Sequence, residues 1–194
     1  MEQNVAKRVP YGIQDFVQVI EQNCYYVDKT AYIPKLEDCP NNLFCIRPRR
    51  FGKSVFLSML HAYYDCRTKD KFQEWFGNLW IGKHPTPLQG RYQVMHLDFS
   101  QVGGSIENLE EKFNFYLGVQ LNGFIRDYLD FYSEKVQKQV EDAKDAGVKL
   151  AIIQSEARSK GYPLYLIIDE YDNFTNTVLN EQGEDVYWAI THAE

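Results

Sequence analysis

Two stretches, RPRRFGKS at residues 47–54 and LIIDE at residues 166–170, hold the residue types from which a nucleotide phosphate site is built. The first ends as a phosphate-binding loop, G-x-x-x-x-G-K-[ST], ends, but its opening glycine position holds Arg47, followed by Pro48, Arg49 and Arg50. Such a loop works by curving successive backbone N–H groups around phosphate oxygens, and the positive end of the following helix adds to that field. Gly52 permits the close backbone approach, Lys53 brings a charge to the β- and γ-phosphates, and the Ser54 hydroxyl is a ligand for Mg²⁺. Pro48 has no N–H and biases Arg47 towards extended backbone. The nest is thereby shortened to the amides from Arg49 through Arg50, Phe51, Gly52, Lys53 and Ser54 to Val55. Arg47, Arg49 and Arg50 are hard to desolvate together without an anion beside them. A solvated turn pairing with carboxylates is the other reading of Arg49 and Arg50.

LIIDE supplies the second half of such a site. An apolar strand delivers Asp169 to its carboxyl end, where the carboxylate can hold the water shell of Mg²⁺. Glu170, next in the chain, is placed to orient and deprotonate an attacking water; a structural or signalling acid beside an uncleaved nucleotide is the alternative. Asp172 is a weaker supporting candidate, with a solvated turn as its alternative. The tripeptide GKS alone is common by chance. Its setting makes it specific: an apolar run before it, an amphipathic helix after it, and paired acids about 115 positions later. The reading requires Ser54 and Asp169 to meet at one edge of a sheet.

The elements that must position these residues follow from periodicity. Ile13, Phe16, Val17 and Ile20 repeat at helical spacing, and a second short helix is expected after Thr30, with Pro34 limiting it. NNLFCI, between Pro40 and Pro48, reads as a buried strand, and SVFLSMLHAYYD as the helix that opens from the loop. RYQVMHLDFS, residues 91–100, is a strand ending near Asp98. From Ser105 to about Asp145, apolar residues from Ile106 to Tyr132 recur at steps of three and four, giving one long helix or two with a break near Tyr132. That aromatic stripe reads as core. Leu150 to Lys160 is helical, stopped by Gly161 and Pro163, and LYLIID is a strand whose continuous apolar run suits burial on both faces. Strands alternating with helices indicate an α/β fold: a three-layer sandwich around a mostly parallel central sheet.

The composition sets limits. A chain of 194 residues with 44% apolar and 25% charged residues is long enough to bury its own core, and its composition argues against disorder of the bulk. A net charge of -6 argues against broad nonspecific binding to nucleic acid or to an anionic membrane. Cys24, Cys39, Cys45 and Cys66 form no C-x-x-C pair and read as buried thiols rather than zinc ligands. The first ten residues lack the apolar core of a signal peptide, and no apolar stretch approaches a membrane span; the cytoplasm is the expected compartment.

With both motifs in view, the chain resembles the bacterial and archaeal AAA-ATPase-like family, members of which often carry a PD-(D/E)xK nuclease-like domain after the ATPase part. YGIQDFVQVIEQNCYYVDKTAYI resembles the family's N-terminal signature, RPRRFGKSVFLSML its modified Walker A, HLDFS its second strand and LIIDEYDN its Walker B. The resemblance makes arginine and proline before Phe51 a family trait; Asn173 departs from the lysine common there. It implies a P-loop NTPase of the AAA type spanning residues 1–194, with a signature segment 1–40 and a core 41–194. It implies ATP as the nucleotide, and places Tyr26, Asp28 and Lys29 near the base, against a reading as ordinary helix-joining residues. It also implies that the fold is incomplete at the C-terminus, without sensor, lid, arginine finger or nuclease-like part, so that turnover of this segment is slow or absent. Two functions stay open: an Mg²⁺-dependent ATPase driving a partner or appended domain, and a nucleotide-held regulatory switch without significant turnover. Direct DNA binding through Arg47, Arg49 and Arg50 is a weaker third.

Overall fold

The computed structural model describes residues 7–40, 42–45, 51–100 and 108–170. The chain divides into two compact units, Met1–Val94 and Met95–Glu194.

In the first unit, α1 (Phe16–Glu21) opens at Asp15, whose side chain accepts from the Gln18 N–H at 2.8 Å. An aspartate at this position satisfies one of the N–H groups a helix start leaves over. The helix ends on Asn23 at φ 50, a left-handed position that asparagine tolerates; Asn23 N–H bonds to the Ile20 carbonyl and Cys24 N–H to that of Val19. After a 3-10 turn (Thr30–Tyr32) comes α2 (Ile33–Glu37). Pro34 lies in its first turn, where the missing N–H costs nothing. The central helix is α3 (Lys53–Tyr64). A 3-10 stretch (Cys66–Lys71) leads to α4 (Phe72–Phe76) and α5 (Trp80–Lys83). α1 packs on α3 and α4 through a chain of rings: Phe16 stacks on Phe76 at 4.9 Å, and Phe76 meets Tyr63 edge-on at 5.6 Å.

β1 (Gln93–Asp98) leads into the second unit. There α6 (Leu109–Asp127), α7 (Glu134–Asp142) and α8 (Ala146–Ser159) pack on one another, and β2 (Leu164–Asp169) lies against α8. The sheet is a parallel pair, β1 beside β2. Leu117, Leu121, Phe124, Tyr128 and Tyr132 are buried, as the periodicity required, but Phe113 of the same stripe is exposed; the break falls at Tyr128–Tyr132 around a 3-10 turn (Leu129–Phe131). Lys149 of α8 is buried. Its ammonium donates to the Val140 and Glu141 carbonyls at the end of α7 and to Asn122 Oδ1 at 3.1 Å, so a positive group meets the negative end of a helix.

The chain is thus α/β, with many helices and a small parallel sheet. Three expectations are corrected. Residues 42–45 of NNLFCI form no strand, and Leu43 and Phe44 are exposed; an apolar run becomes a strand only where a neighbour takes up its backbone groups. β2 is covered on one face only: Ile167 and Asp169 are buried, but Leu166 and Ile168 are 46% and 41% exposed. Of the cysteines, Cys24 alone is buried; Cys39 is exposed, Cys45 and Cys66 are half-buried, and all four thiols are free.

Candidate nucleotide site

Each half of the expected site is built within one unit. In the first, Gly52 is the residue that opens α3, at φ 75 and ψ 30 in the left-handed region. Only glycine takes this conformation at no steric cost, and it turns the chain sharply into the helix. Among the described residues nothing lies within 4 Å of where a Cβ at Gly52 would stand. Among the described residues the requirement for glycine is therefore conformational rather than steric. Gly52 offers no capping side chain, while its carbonyl accepts the Phe56 N–H at 3.1 Å and starts the helical ladder. Lys53, Ser54 and Val55 form the first turn, all half-buried, and Phe51 is exposed. A helix start of this kind, with a cationic and a hydroxyl side chain in its first turn, suits a phosphate group. Arg47, Pro48, Arg49 and Arg50 lie outside the described residues.

The helix is held in register by a link that sequence reasoning does not single out. Ser58, one turn beyond Ser54, donates its hydroxyl to Asp15 Oδ2 at 2.7 Å and accepts the Phe16 N–H at 3.0 Å. The available signal was Asp15 itself, an acid just before the first buried residue of an amphipathic helix.

In the second unit, Asp169 closes β2. Its side chain is 6% exposed, Oδ1 accepts the Glu170 N–H at 2.9 Å, and its carbonyl accepts the Phe99 N–H at 3.1 Å. That last bond pairs the carboxyl ends of β1 and β2. Glu170 follows at φ 53, a left-handed conformation that costs a non-glycine residue energy. Asp98, at the end of β1, is fixed by Gln120 of α6: its N–H donates to Gln120 Oε1 at 3.0 Å. Asp172 and Asn173 lie outside the described residues.

Each half carries an oxygen donor of the kind magnesium takes. The Ser54 hydroxyl and the Asp169 carboxylate are hard oxygen ligands, and Mg²⁺ keeps most of its waters and takes few protein ligands. Among the described residues, no group of three or more His, Cys, Asp or Glu side chains gathers that could hold a metal.

Two of the residues expected beside the base, Tyr26 and Asp28, have structural partners. Asp28 Oδ1 accepts the N–H and hydroxyl of Thr30 at 2.8 and 2.7 Å; Oδ2 accepts the Trp80 N–H at 2.7 Å, and Thr30 Oγ1 accepts the Ile81 N–H. The carboxylate and hydroxyl thus cap the start of α5. Tyr26 rests edge-on against Phe16 at 5.2 Å; burial, reinforced by the Asp28 charge, raises its phenol pKa and keeps it protonated.

Three comparisons complete the description. The profile of a family described as "Predicted AAA-ATPase" matches residues 10–193. An "Uncharacterized protein in vnfD 5'region" of Azotobacter chroococcum mcd 1 is 27% identical over 172 residues, covering 86% of this chain and 29% of its own length. The chain thus spans less than a third of that relative. No solved structure matches.

Proposed function

The chain belongs to the Predicted AAA-ATPase family, and from that premise we propose that it is an ATP-binding P-loop domain of the AAA type that hydrolyses ATP with Mg²⁺ to drive or gate a partner or an appended domain. The family supports nucleotide binding in general. The observation that carries the finer reading is the left-handed Gly52 turn opening α3, with Lys53 and Ser54 in the first helical turn. In this reading the amides from Arg49 through Phe51 and Gly52 to Val55 bind the phosphates, and Lys53 offsets charge developing on the transferred group. Ser54 and Asp169 hold the metal, which when bound neutralises phosphate charge. Glu170 orients water and takes its proton. The fold proposed around these groups is a three-layer P-loop core over residues 1–194, in a cytoplasmic bacterial or archaeal protein.

Among the described residues no helix is long and apolar enough to cross a membrane. The deciding experiment is calorimetric titration of the chain with Mg²⁺·ATP. Wild type binds and Lys53→Ala loses binding; equal affinity in both rejects the site. A phosphate-release assay with Glu170→Gln then separates hydrolysis from the alternative, a nucleotide-held switch. Absence of Glu170-dependent release favours the switch.

A further inference from the structure

The hydrogen bonds between Asp15, Phe16 and Ser58 engage the Ser58 hydroxyl both as donor and as acceptor. Its one proton goes to Asp15 Oδ2 at 2.7 Å, and its oxygen accepts the Phe16 N–H at 3.0 Å. The other oxygen of Asp15 caps α1 at Gln18, 2.8 Å away. A serine inside a helix ordinarily turns back to its own helix's carbonyls or out to solvent. Here it is committed to a carboxylate 43 residues earlier, and a hydroxyl-to-carboxylate bond is among the stronger kinds.

Ser58 follows Ser54 by four positions, on the same helix face and about 6 Å along the axis. A helix is stiff over one turn, so fixing Ser58 fixes the rotation and axial position of the turn formed by Lys53, Ser54 and Val55. Phosphate recognition by backbone amides demands placement to within about 0.5 Å. We propose that Asp15 and Ser58 are positioning residues for the nucleotide: together they clamp α3 so that its N-terminal turn is aimed to bind phosphate. The proposal rests on the ATP reading above. Phe16 is fully buried and stacks on Phe76 at 4.9 Å, a contact made by neither Asp15 nor Ser58.

The test uses the full 194-residue chain. Mg²⁺·ATP affinity is measured by calorimetry for wild type, Ser58→Ala, Asp15→Asn and Ser58→Thr, with thermal unfolding of each. Tyr64→Phe, which removes the bond from Tyr64 to Glu37 at the far end of α3, is the control for lost stability alone. Ser58→Ala is expected to weaken binding about tenfold, the size of one lost charge-assisted bond, and Asp15→Asn about threefold. Ser58→Thr, which keeps the hydroxyl, stays within about twofold of wild type. Tyr64→Phe lowers the melting temperature without changing affinity. Unchanged affinity in Ser58→Ala overturns the proposal, as does an equal loss in Tyr64→Phe. If wild type binds no ATP, or Lys53→Ala binds as well as wild type, the nucleotide reading falls and the clamp with it. Lys53-dependent binding that ignores Ser58 sinks the clamp alone.

Discussion

Adding one methyl group at Gly52 separates the cost of the turn from the cost to its ligand. Among the described residues a Cβ there meets nothing within 4 Å, so Gly52→Ala introduces no clash. What remains is the backbone conformation, φ 75 and ψ 30, which costs an L-residue about 1–2 kcal/mol. Alanine recovers about 0.5–1 kcal/mol because its unfolded chain has less freedom to lose. The net loss is about 1 kcal/mol, or a fall in melting temperature of about 2–4 °C for a chain of this size. Gly82 is the contrast: a Cβ there would stand 2.1 Å from the Phe76 carbonyl oxygen, an overlap no relaxation of a side chain relieves. At Gly52 the functional loss exceeds the structural one, because an alanine that relaxes towards right-handed backbone rotates the amides that follow it. ATP affinity should fall by at least about tenfold. The assay is thermal unfolding by circular dichroism with and without Mg²⁺·ATP, beside calorimetric titration. Gly52→Asn, better suited to left-handed backbone, should regain part of the melting temperature. An unchanged or higher melting temperature in Gly52→Ala refutes the conformational argument. A lowered one with full ATP affinity refutes the placement of phosphate at this turn.

Other outcomes follow from the second half of the site and from the two cores. Glu170→Gly relieves the left-handed strain and should raise stability by up to about 1 kcal/mol while abolishing ATP-dependent phosphate release; a drop in melting temperature would contradict the strain. Asp65 is buried; desolvation raises its pKa, but bonds from His61 and Arg67 outweigh this and hold it below its usual 3.8. Its contribution is therefore complete above about pH 4 and lost as pH falls through the depressed value. Asp65→Asn should flatten that acid limb of the stability curve, and an identical slope in the variant would count against the linkage. Lys149→Met leaves the last carbonyls of α7 without their donor and should cost about 1–3 kcal/mol, with faster hydrogen exchange across 134–142; unaltered exchange there would show that the ammonium does not hold α7.

What the sequence determined by itself are the features set within a few residues along the chain. Glycine before a lysine, a serine and an apolar stripe marks the start of α3, and the three-and-four spacing from Ile106 to Tyr132 gives α6 and its break. The run LYLIID ending in acids gives β2. Both halves of the proposed site, Lys53 with Ser54 and Asp169 with Glu170, were legible for this reason, each being a pair of neighbours along the chain. The tertiary structure decided whatever depends on partners distant in the chain. α4 and α5 are too short for periodicity to announce; α5 starts where it does because Asp28, 52 residues earlier, takes the Trp80 N–H. NNLFCI has the composition of a strand, yet residues 42–45 are not one. The burial of Lys149, the backbone twist at Glu170 and the choice of Ser58 as the partner of Asp15 have no local signature. Propensity and spacing are energies of the chain with itself over one or two turns, whereas burial, strain and long-range capping are fixed only once separate segments are brought into contact.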